Sequence, residues 1–557
     1  MKPSKAKLAA EEYLKGNYAL ALLLYEQLAE QIGETFFKTN IGLCKKKLGH
    51  AKARSQGQVL KSGVNAAFKV AIIADEFTFN SFKDEFLAIP LEPATWRQAF
   101  ESYEPDIFFC ESAWSGPDSN RRPWKGSIYA SVNFKKENRS TLLDILSHCR
   151  KEGIPSVFWN KEDPTHYSDR VHDFVKTARE FDFVFTTAAE CIERYRADHG
   201  LGNVFALPFA TNPRLFNPVE TSSIRSSRVV FAGSWYANHK QRSADMETIL
   251  DDVIAGGLTA EIYDRYHGDA DPLHRWPDKY QPFLKPGQPH EHMPEVYKSS
   301  CFGLNFNTVT DSATMFARRV FELMSCNTLV VSNYARGVDE MFGDLVIFAD
   351  RQPGRLRDLS PRQLGDLRER ALKLVLSEHT YKQRWLSVLS AIGIPHRLPD
   401  ESMTIVSVVR TRAEAMCAIS WFQQYGAALP GGRLLLVASE EMPGLDVAGI
   451  YQEFNRFGVG VTSFSHAREY ALKGRYQPIE TAYYLLVDPK MPPVPGWPVE
   501  ALLHLQYMSD HPIAPASAPH DRYRFGSGRA CTTLLGHAGL FDSFLQSGAA
   551  PARVYFV

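Results

Sequence analysis

The chain has 557 residues, with 63 Lys+Arg balancing 63 Asp+Glu for a formal net charge of zero. That length predicts roughly three to four domains, and the balanced charge argues against binding nucleic acid or another polyanion over the whole surface. The eight cysteines are scattered without a CxxC pair, which leaves no zinc spacing and predicts reduced thiols in a cytoplasmic setting.

The opening MKPSKAKLAAEEY lacks the apolar core of a signal peptide. No later segment approaches about 18 uninterrupted apolar residues, so no membrane span is expected; peripheral contact with the inner membrane stays open. Residues 5–48 contain no proline and show helical periodicity, with a break at Gly16 and Asn17 and apolar residues at Tyr18, Ala21, Leu22, Tyr25, Leu28 and Ala29. A third helical run ends at Gly49. The pattern resembles a tetratricopeptide repeat. About one and a half repeats fall short of the three usually needed for independent stability. Segment 1–62 is therefore expected to dock on its neighbour or to meet a protein partner or a second copy, and residues 50–66 read as a linker.

A first α/β domain is expected over 66–222. FKVAIIAD, EPDIFFCESAW, IPSVFWNKEDPTHY, FDFVFTT and NVFALPFATNP are short apolar runs separated by helical segments, the signature of a doubly wound parallel sheet. No GxGxxG follows the first strand, so a dinucleotide site is not inferred. Ligand-binding residues of such a sheet sit just past the strand ends, which singles out Glu111–Trp114 and Asn160–His166. In the second loop Glu162, Asp163 or His166 offers a general base towards an acceptor hydroxyl; a solvated loop or a helix cap is the plainer alternative.

A second α/β domain is expected over 226–396. RVVFAGSWY places Gly233 and Ser234 directly after a strand, with Arg242 entering the next helix, and AEIYDRY ends in Tyr263, Asp264 and Arg265. The stretch LNFNTVTDSATMFARRVFELMSCNTLVVS reads as strand, polar loop, helix and strand. Asn307, Asp311, Ser312, Thr314 and Met315 fall in the loop and its exit, and Arg318, Arg319 and Glu322 in a helix expected from Met315 to Met324. A loop leading from a strand to a helix N-terminus favours phosphate. Arginines beside it add charge-assisted bonds, and a carboxylate can accept from ribose hydroxyls. Neighbours on a helix point about 100° apart, so one of the two arginines is expected to face the site.

The run DEFTFNSF, ESAW, FWNKEDPTHY, TTAAECIERY, LPFATNP, FAGSWY, YDR and NTVTDSATMFARRVFELMS, in that order from Phe68 to Ile392, resembles the CgeB-like (spore-maturation type) bacterial glycosyltransferases. The resemblance implies a GT-B fold, two Rossmann-like domains facing a cleft, with the acceptor on the first and a nucleotide-diphosphate sugar on the second. It implies a hexosyltransferase-like activity on a glycan or protein acceptor, in surface polysaccharide or glycoprotein biosynthesis, with no cofactor and no metal. Glu322 matches the ribose-binding second glutamate of the wider group-1 enzymes, whereas the first would fall at Thr314, which leaves retaining or inverting stereochemistry open. Gly233, Ser234 and Arg242 match that group's phosphate-side loop. The alternative function is an inactive GT-B scaffold that binds sugars or partners.

After the linker HRLPDESM, a last domain is expected over 402–557, beginning with the strand MTIVSVVRTR. Its order faintly resembles the family-2 GT-A glycosyltransferases. Their metal-binding Asp-x-Asp would read Asp488-Pro489-Lys490 here, and the lysine would repel a divalent cation. A degenerate, metal-free GT-A-like domain is the expectation.

Overall fold

The computed structural model describes residues 5–14, 18–33, 37–45, 68–222, 224–473, 478–547 and 551–557. The chain divides into two compact units, one of residues 63–99 and 105–398, the other of residues 1–62, 100–104 and 399–557.

The first unit holds two six-stranded sheets. Strands β1 (Lys69–Ile73), β2 (Leu87–Pro90), β3 (Ile107–Glu111), β4 (Ser156–Asn160), β5 (Phe183–Thr186) and β6 (Val204–Ala206) pair in the order β2-β1-β3-β4-β5-β6. Every pairing is parallel. Residues of β3 and β4 are buried throughout, which is why they read as apolar runs rather than alternations. The strand order reverses between β1 and β3, so the crevice past those strand ends is the switch point of this sheet.

Strands β7 (Ser226–Ala232), β8 (Ala260–Asp264), β9 (Leu284–Pro286), β10 (Ser300–Asn305), β11 (Leu329–Ser332) and β12 (Val346–Phe348) form the second sheet in the order β12-β11-β10-β7-β8-β9. It too is wholly parallel. The order is that of a Rossmann fold, with its switch point between β7 and β10. Phe231, Trp235, Met246, Ile249, Trp276, Leu304 and Phe306 belong to its core. This is the GT-B architecture of two Rossmann-like domains. The short strands Leu87–Pro90 and Leu284–Pro286 escaped the sequence reading, since three or four residues carry too little periodicity to register.

After β12 come two helices, each begun by a capping box: Ser360 with Gln363 before Pro361–Glu378, and Thr380 with Gln383 before Tyr381–Ala391. The second returns to the first domain. Thr211 and Thr380 form a β-bridge, the Tyr381 ring lies 4.7 Å from Phe82 and Trp385 lies 4.5 Å from Phe86.

In the other unit, helices Lys5–Leu14 and Tyr18–Ile32 bury Leu8, Ala9, Ala21, Leu24, Tyr25 and Leu28, and residues 37–45 are also helical. Gly16, Asn17, Gly49 and the linker 50–66 lie outside the described residues. The last domain has an eight-stranded sheet ordered β15-β14-β13-β16-β19-β17-β20-β18. Its members are β13 (Met403–Val409), β14 (Arg433–Ala438), β15 (Val459–Ser463), β16 (Tyr483–Leu486), β17 (Ile513–Ala514), β18 (Arg524–Gly526), β19 (Leu534–His537) and β20 (Val554–Phe556). The β13–β16 portion is parallel and β19 joins it antiparallel. After β16, the Asp488 carboxylate accepts the Lys490 backbone N–H at 2.8 Å. The Lys490 ammonium lies 2.7 Å from the buried carboxylate of Glu414. Lysine thus neutralises a carboxylate where a metal-binding sequence would add one.

Among the described residues no helix is long and apolar enough to cross a membrane, and the cysteines are unpaired.

Candidate functional site

The switch point of the second sheet gathers two arginines. Gly233 follows β7 directly, and a Cβ there would lie 2.6 Å from Phe231 Cζ and 3.1 Å from Arg319 Nη2. Glycine therefore lets Arg319 pass beside the loop. The Arg319 guanidinium lies 4.9 Å from the Phe231 ring centroid, and its Nη1 donates to Asn305 Oδ1 at 3.3 Å. Arg242, in helix Lys240–Ala255, donates from Nη1 to the Ser234 carbonyl at 3.1 Å. Burial, and then the charge of Arg319, hold its pKa down to about 10.

Among the described residues no carboxylate lies within ion-pairing distance of either arginine. Ser234 Oγ and Arg319 Nε are buried without a hydrogen-bond partner. Arg242 is a buried positive charge with no carboxylate beside it, which is costly, and the unsatisfied donors near it are costly again. The combination is complementary to a ligand carrying more than one negative charge.

Behind the arginines Glu322 is 5% exposed. His290 Nε2 lies 3.5 Å from its Oε1, and the Tyr297 hydroxyl donates to Oε2 at 3.3 Å. Burial pushes this carboxyl up, but His290, Arg318 and Arg319 outweigh it and hold it below its ordinary value. His290 and Tyr297 were not singled out from sequence; they reach Glu322 from a separate helical turn and helix.

The helix expected from Met315 begins at Arg319 and runs to Ser325. Phosphate stabilisation by a helix N-terminus at Thr314 and Met315 is therefore corrected: those residues lie in irregular chain. Side-chain bonds explain the late start. Ser312 Oγ accepts from the backbone N–H of Thr314 and of Met315 at 3.3 and 2.9 Å. Asn307 Oδ1 takes the Ala317 N–H at 3.0 Å. Thr314 Oγ1 donates to the Thr187 carbonyl at 2.7 Å and accepts from Ala189 N–H at 2.8 Å. Serine, asparagine and threonine here offer the backbone an alternative to helix, and Thr314 pins the loop to the first domain.

The two adjacent arginines do diverge. Arg318 turns to the first domain, 5.5 Å from the Phe77 ring and 4.8 Å from Phe209, while Arg319 stays over the second-sheet switch point. Arg265 also approaches Phe77, at 5.7 Å. Tyr263 is half-buried at the end of β8, and Asp264 is buried, accepting from Tyr266 N–H at 3.3 Å. Asp311 is exposed. Asn307 is buried among Ser332 and Asn333, a position suited to holding the loop.

Phe77, in the helix Glu76–Phe82 after β1, places the other switch point opposite Arg318. There the Lys161 ammonium sits 3.0 Å from Asp75 and 2.8 Å from Glu111. Glu111 is fully buried and also accepts from Asp75 N–H and Thr78 Oγ1, at 2.7 and 2.6 Å. Burial pushes Glu111 up; Lys161, despite its own burial, is pushed up by Glu111 and Asp75. Asp75 in turn accepts the backbone N–H groups of Trp114, Ser115 and Gly116. This network fixes the Trp114 loop, and Trp114 Nε1 donates to Glu162 Oε1 at 2.8 Å.

The three candidate bases separate. Asp163 is fully buried, accepting from Asn160, Thr186 and Tyr195 at 2.9, 2.7 and 3.0 Å, and burial raises it to about 7. Its carboxyl faces no solvent, so it braces the loop and does not reach an acceptor. Glu162 and His166 retain open faces, and Glu162 Oε2 lies 3.9 Å from His166 Nε2. The Lys161 anchor was hidden from sequence reading because Asp75 and Glu111 come from other strand ends.

Residues 247–390 match the family model described as glycosyl transferase-like, a span that includes Asp264, Arg265, the 304–332 stretch and Glu322. No curated protein matches the sequence. Among solved structures, an alpha-glucosyltransferase in complex with UDP is 10% identical, covering 59% of this chain and 100% of that one at a TM-score of 0.42. The T4 phage BGT in complex with UDP and Mn2+ is 14% identical over 59% of this chain and 100% of that one, at 0.34. TarM is 11% identical over 51% of this chain and 54% of that one, at 0.33. These superpositions are loose, and the fold rests on the strand orders. The sequence match lies within the second Rossmann-like domain.

Proposed function

We propose that this protein is a glycosyltransferase that moves a sugar from a nucleotide-diphosphate sugar to a glycan or protein acceptor, in surface polysaccharide or glycoprotein biosynthesis. The observation that carries the reading is the pair at a Rossmann switch point, buried Arg242 and half-buried Arg319, neither of them ion-paired with a carboxylate among the described residues. The departing nucleoside diphosphate gains charge as the glycosidic bond breaks. Arg242, Arg319 and the Ser234 hydroxyl would stabilise that charge, the two guanidiniums being already held by the Ser234 carbonyl and Asn305. Glu322, held ionised, is positioned to accept from ribose hydroxyls. Tyr263, Asp264 and Arg265 line the strand end beside it. On the first domain, Glu162 and His166 are the groups suited to take the acceptor's proton.

The donor step in this reading needs no cofactor and no metal at the diphosphate, because the arginines supply the positive charge. A CgeB-like specificity follows from the ordered motif run. The tetratricopeptide-like helices and the degenerate GT-A-like domain would serve acceptor or partner recognition, or pairing of two copies.

A thermal-shift screen against nucleoside diphosphates and their sugars, with and without chelator, tests this. A ligand at 100 times its dissociation constant should stabilise by about 2.7 kcal/mol. A shift confined to one diphosphate family and unchanged by chelator supports the enzyme. No shift with any of them would favour the inactive scaffold.

A further inference from the structure

Six residues past β4, the sequence HYSDRVH brings three metal-type ligands onto one turn. His166 Nδ1 lies 2.8 Å and His172 Nδ1 3.0 Å from the same oxygen, Asp169 Oδ2. One ligand atom from each residue falls within 4.8 Å of the others. We propose that His166, Asp169 and His172 form a binding site for a divalent transition-metal ion of the zinc class.

Four features support it. First, the donor set is two imidazoles and one carboxylate, which suits zinc, iron, nickel or copper far better than magnesium or calcium. Second, the carboxylate is pre-set: Asp169 Oδ1 accepts the backbone N–H groups of Val171 and His172 at 2.7 and 3.2 Å, leaving Oδ2 to the imidazoles. The turn is itself tied down, since Val132 N–H donates to the Arg170 carbonyl at 3.0 Å and Asp173 bridges Ala130.

Third, the two imidazole rings stand at 89° to each other, walled by Trp114 at 5.4 and 5.1 Å and by Tyr129 at 5.0 Å from His172. The side chains are 26%, 25% and 34% exposed, so one side remains open to an ion and a further ligand. Fourth, ligating histidines usually turn their second nitrogen to a carboxylate, and His166 Nε2 faces Glu162 Oε2 at 3.9 Å. With an ion on Nδ1, His166 is a ligand, and Glu162 is left as the proton acceptor beside it. The site differs from the donor site, which offers arginines and no such ligand set.

The full chain, stripped with chelator, would be titrated with zinc chloride by calorimetry and with cobalt chloride followed by its visible absorption. No donor is present, so the outcome is independent of sugar transfer. One ion per chain, an ordered cobalt spectrum, and at least a tenfold weaker binding in His172→Ala are expected. His172→Asn keeps a donor towards Asp169 and serves as the variant that preserves the turn; it should weaken binding as well. Wild type that takes up no ion, or His172→Asn that binds as wild type does, would overturn the assignment.

Discussion

Replacing Arg242 with methionine should make the free protein more stable and the liganded one less so. Methionine keeps the apolar stem and removes the charge. Burial and the charge of Arg319 pull the guanidinium pKa from its ordinary value down to about 10 in the fold. Below the lower value both folded and unfolded chains carry the proton, so the folded state bears the full cost throughout the neutral range. That shift corresponds to about 3 kcal/mol. Against it stands the lost hydrogen bond to the Ser234 carbonyl, worth about 1–2 kcal/mol. The net expectation without ligand is a gain of about 1–2 kcal/mol, a Tm rise of about 4 °C for a domain of this size. Nucleoside diphosphate binding should move the other way. Losing one charge-assisted bond of about 1.5–3 kcal/mol weakens it roughly 10–150-fold. Differential scanning fluorimetry of the free protein and calorimetric titration with the diphosphate found in the screen measure both. A free variant less stable than wild type that still binds equally well would refute the reasoning that Arg242 is an uncompensated charge reserved for an anion.

Other expectations follow from the same geometry. Gly233→Ala should displace both the buried Phe231 ring, 2.6 Å from the new Cβ, and Arg319 Nη2 at 3.1 Å; diphosphate affinity should fall at least tenfold in the same titration, with a loss of about 1–3 kcal/mol in stability from the overpacked core. Lys161→Met leaves Asp75 and Glu111 buried together without their cation, a loss of about 3–5 kcal/mol read by urea denaturation. Asp163 is raised from 3.8 to about 7 in the fold, so the folded state holds its proton more tightly. Stability from this group is present at low pH and is lost as pH rises from about 4 to about 7, by up to about 4 kcal/mol. Asp163→Asn should flatten that decline in melting temperature measured between pH 5 and 8.

The two sheets were legible because parallel strands buried on both faces read as continuous apolar runs, and FKVAIIAD, RVVFAG and LNFN end where ligand crevices begin. Of the candidate donor-side residues, Gly233 and Ser234 follow the end of β7 directly, whereas Arg242, Arg319 and Glu322 were singled out by their place in the helices after β7 and β10. The helix boundary was not. MFARRVFELM has strong helix-formers throughout, yet Ser312, Asn307 and Thr314 capture the backbone before the helix can start. Depth was illegible as well. Glu162 and Asp163 are adjacent acids in one loop, and only the positions of Thr186 and Tyr195 decide which is buried. His166, Asp169 and His172 were visible as letters, but a three-residue spacing on an irregular turn matches no helix or finger pattern.

The returning helix Tyr381–Ala391 has a consequence for how the two Rossmann-like halves can be taken apart. A gene fragment ending at residue 222 would encode β1–β6 yet lack Tyr381 and Trp385, which pack edge-on and tilted against Phe82 and Phe86. It would also lack Arg384, whose guanidinium donates to the Pro208 and Phe209 carbonyls. A fragment covering 226–391 would carry those aromatic side chains with nothing to cover them. Neither half is severable by a single cut, so exchanging first domains between related chains requires the eleven-residue helix Tyr381–Ala391 to travel with the first domain. Recombination that respects this clasp keeps the aromatic contacts covered, and recombination at the midpoint alone exposes two aromatic faces at once.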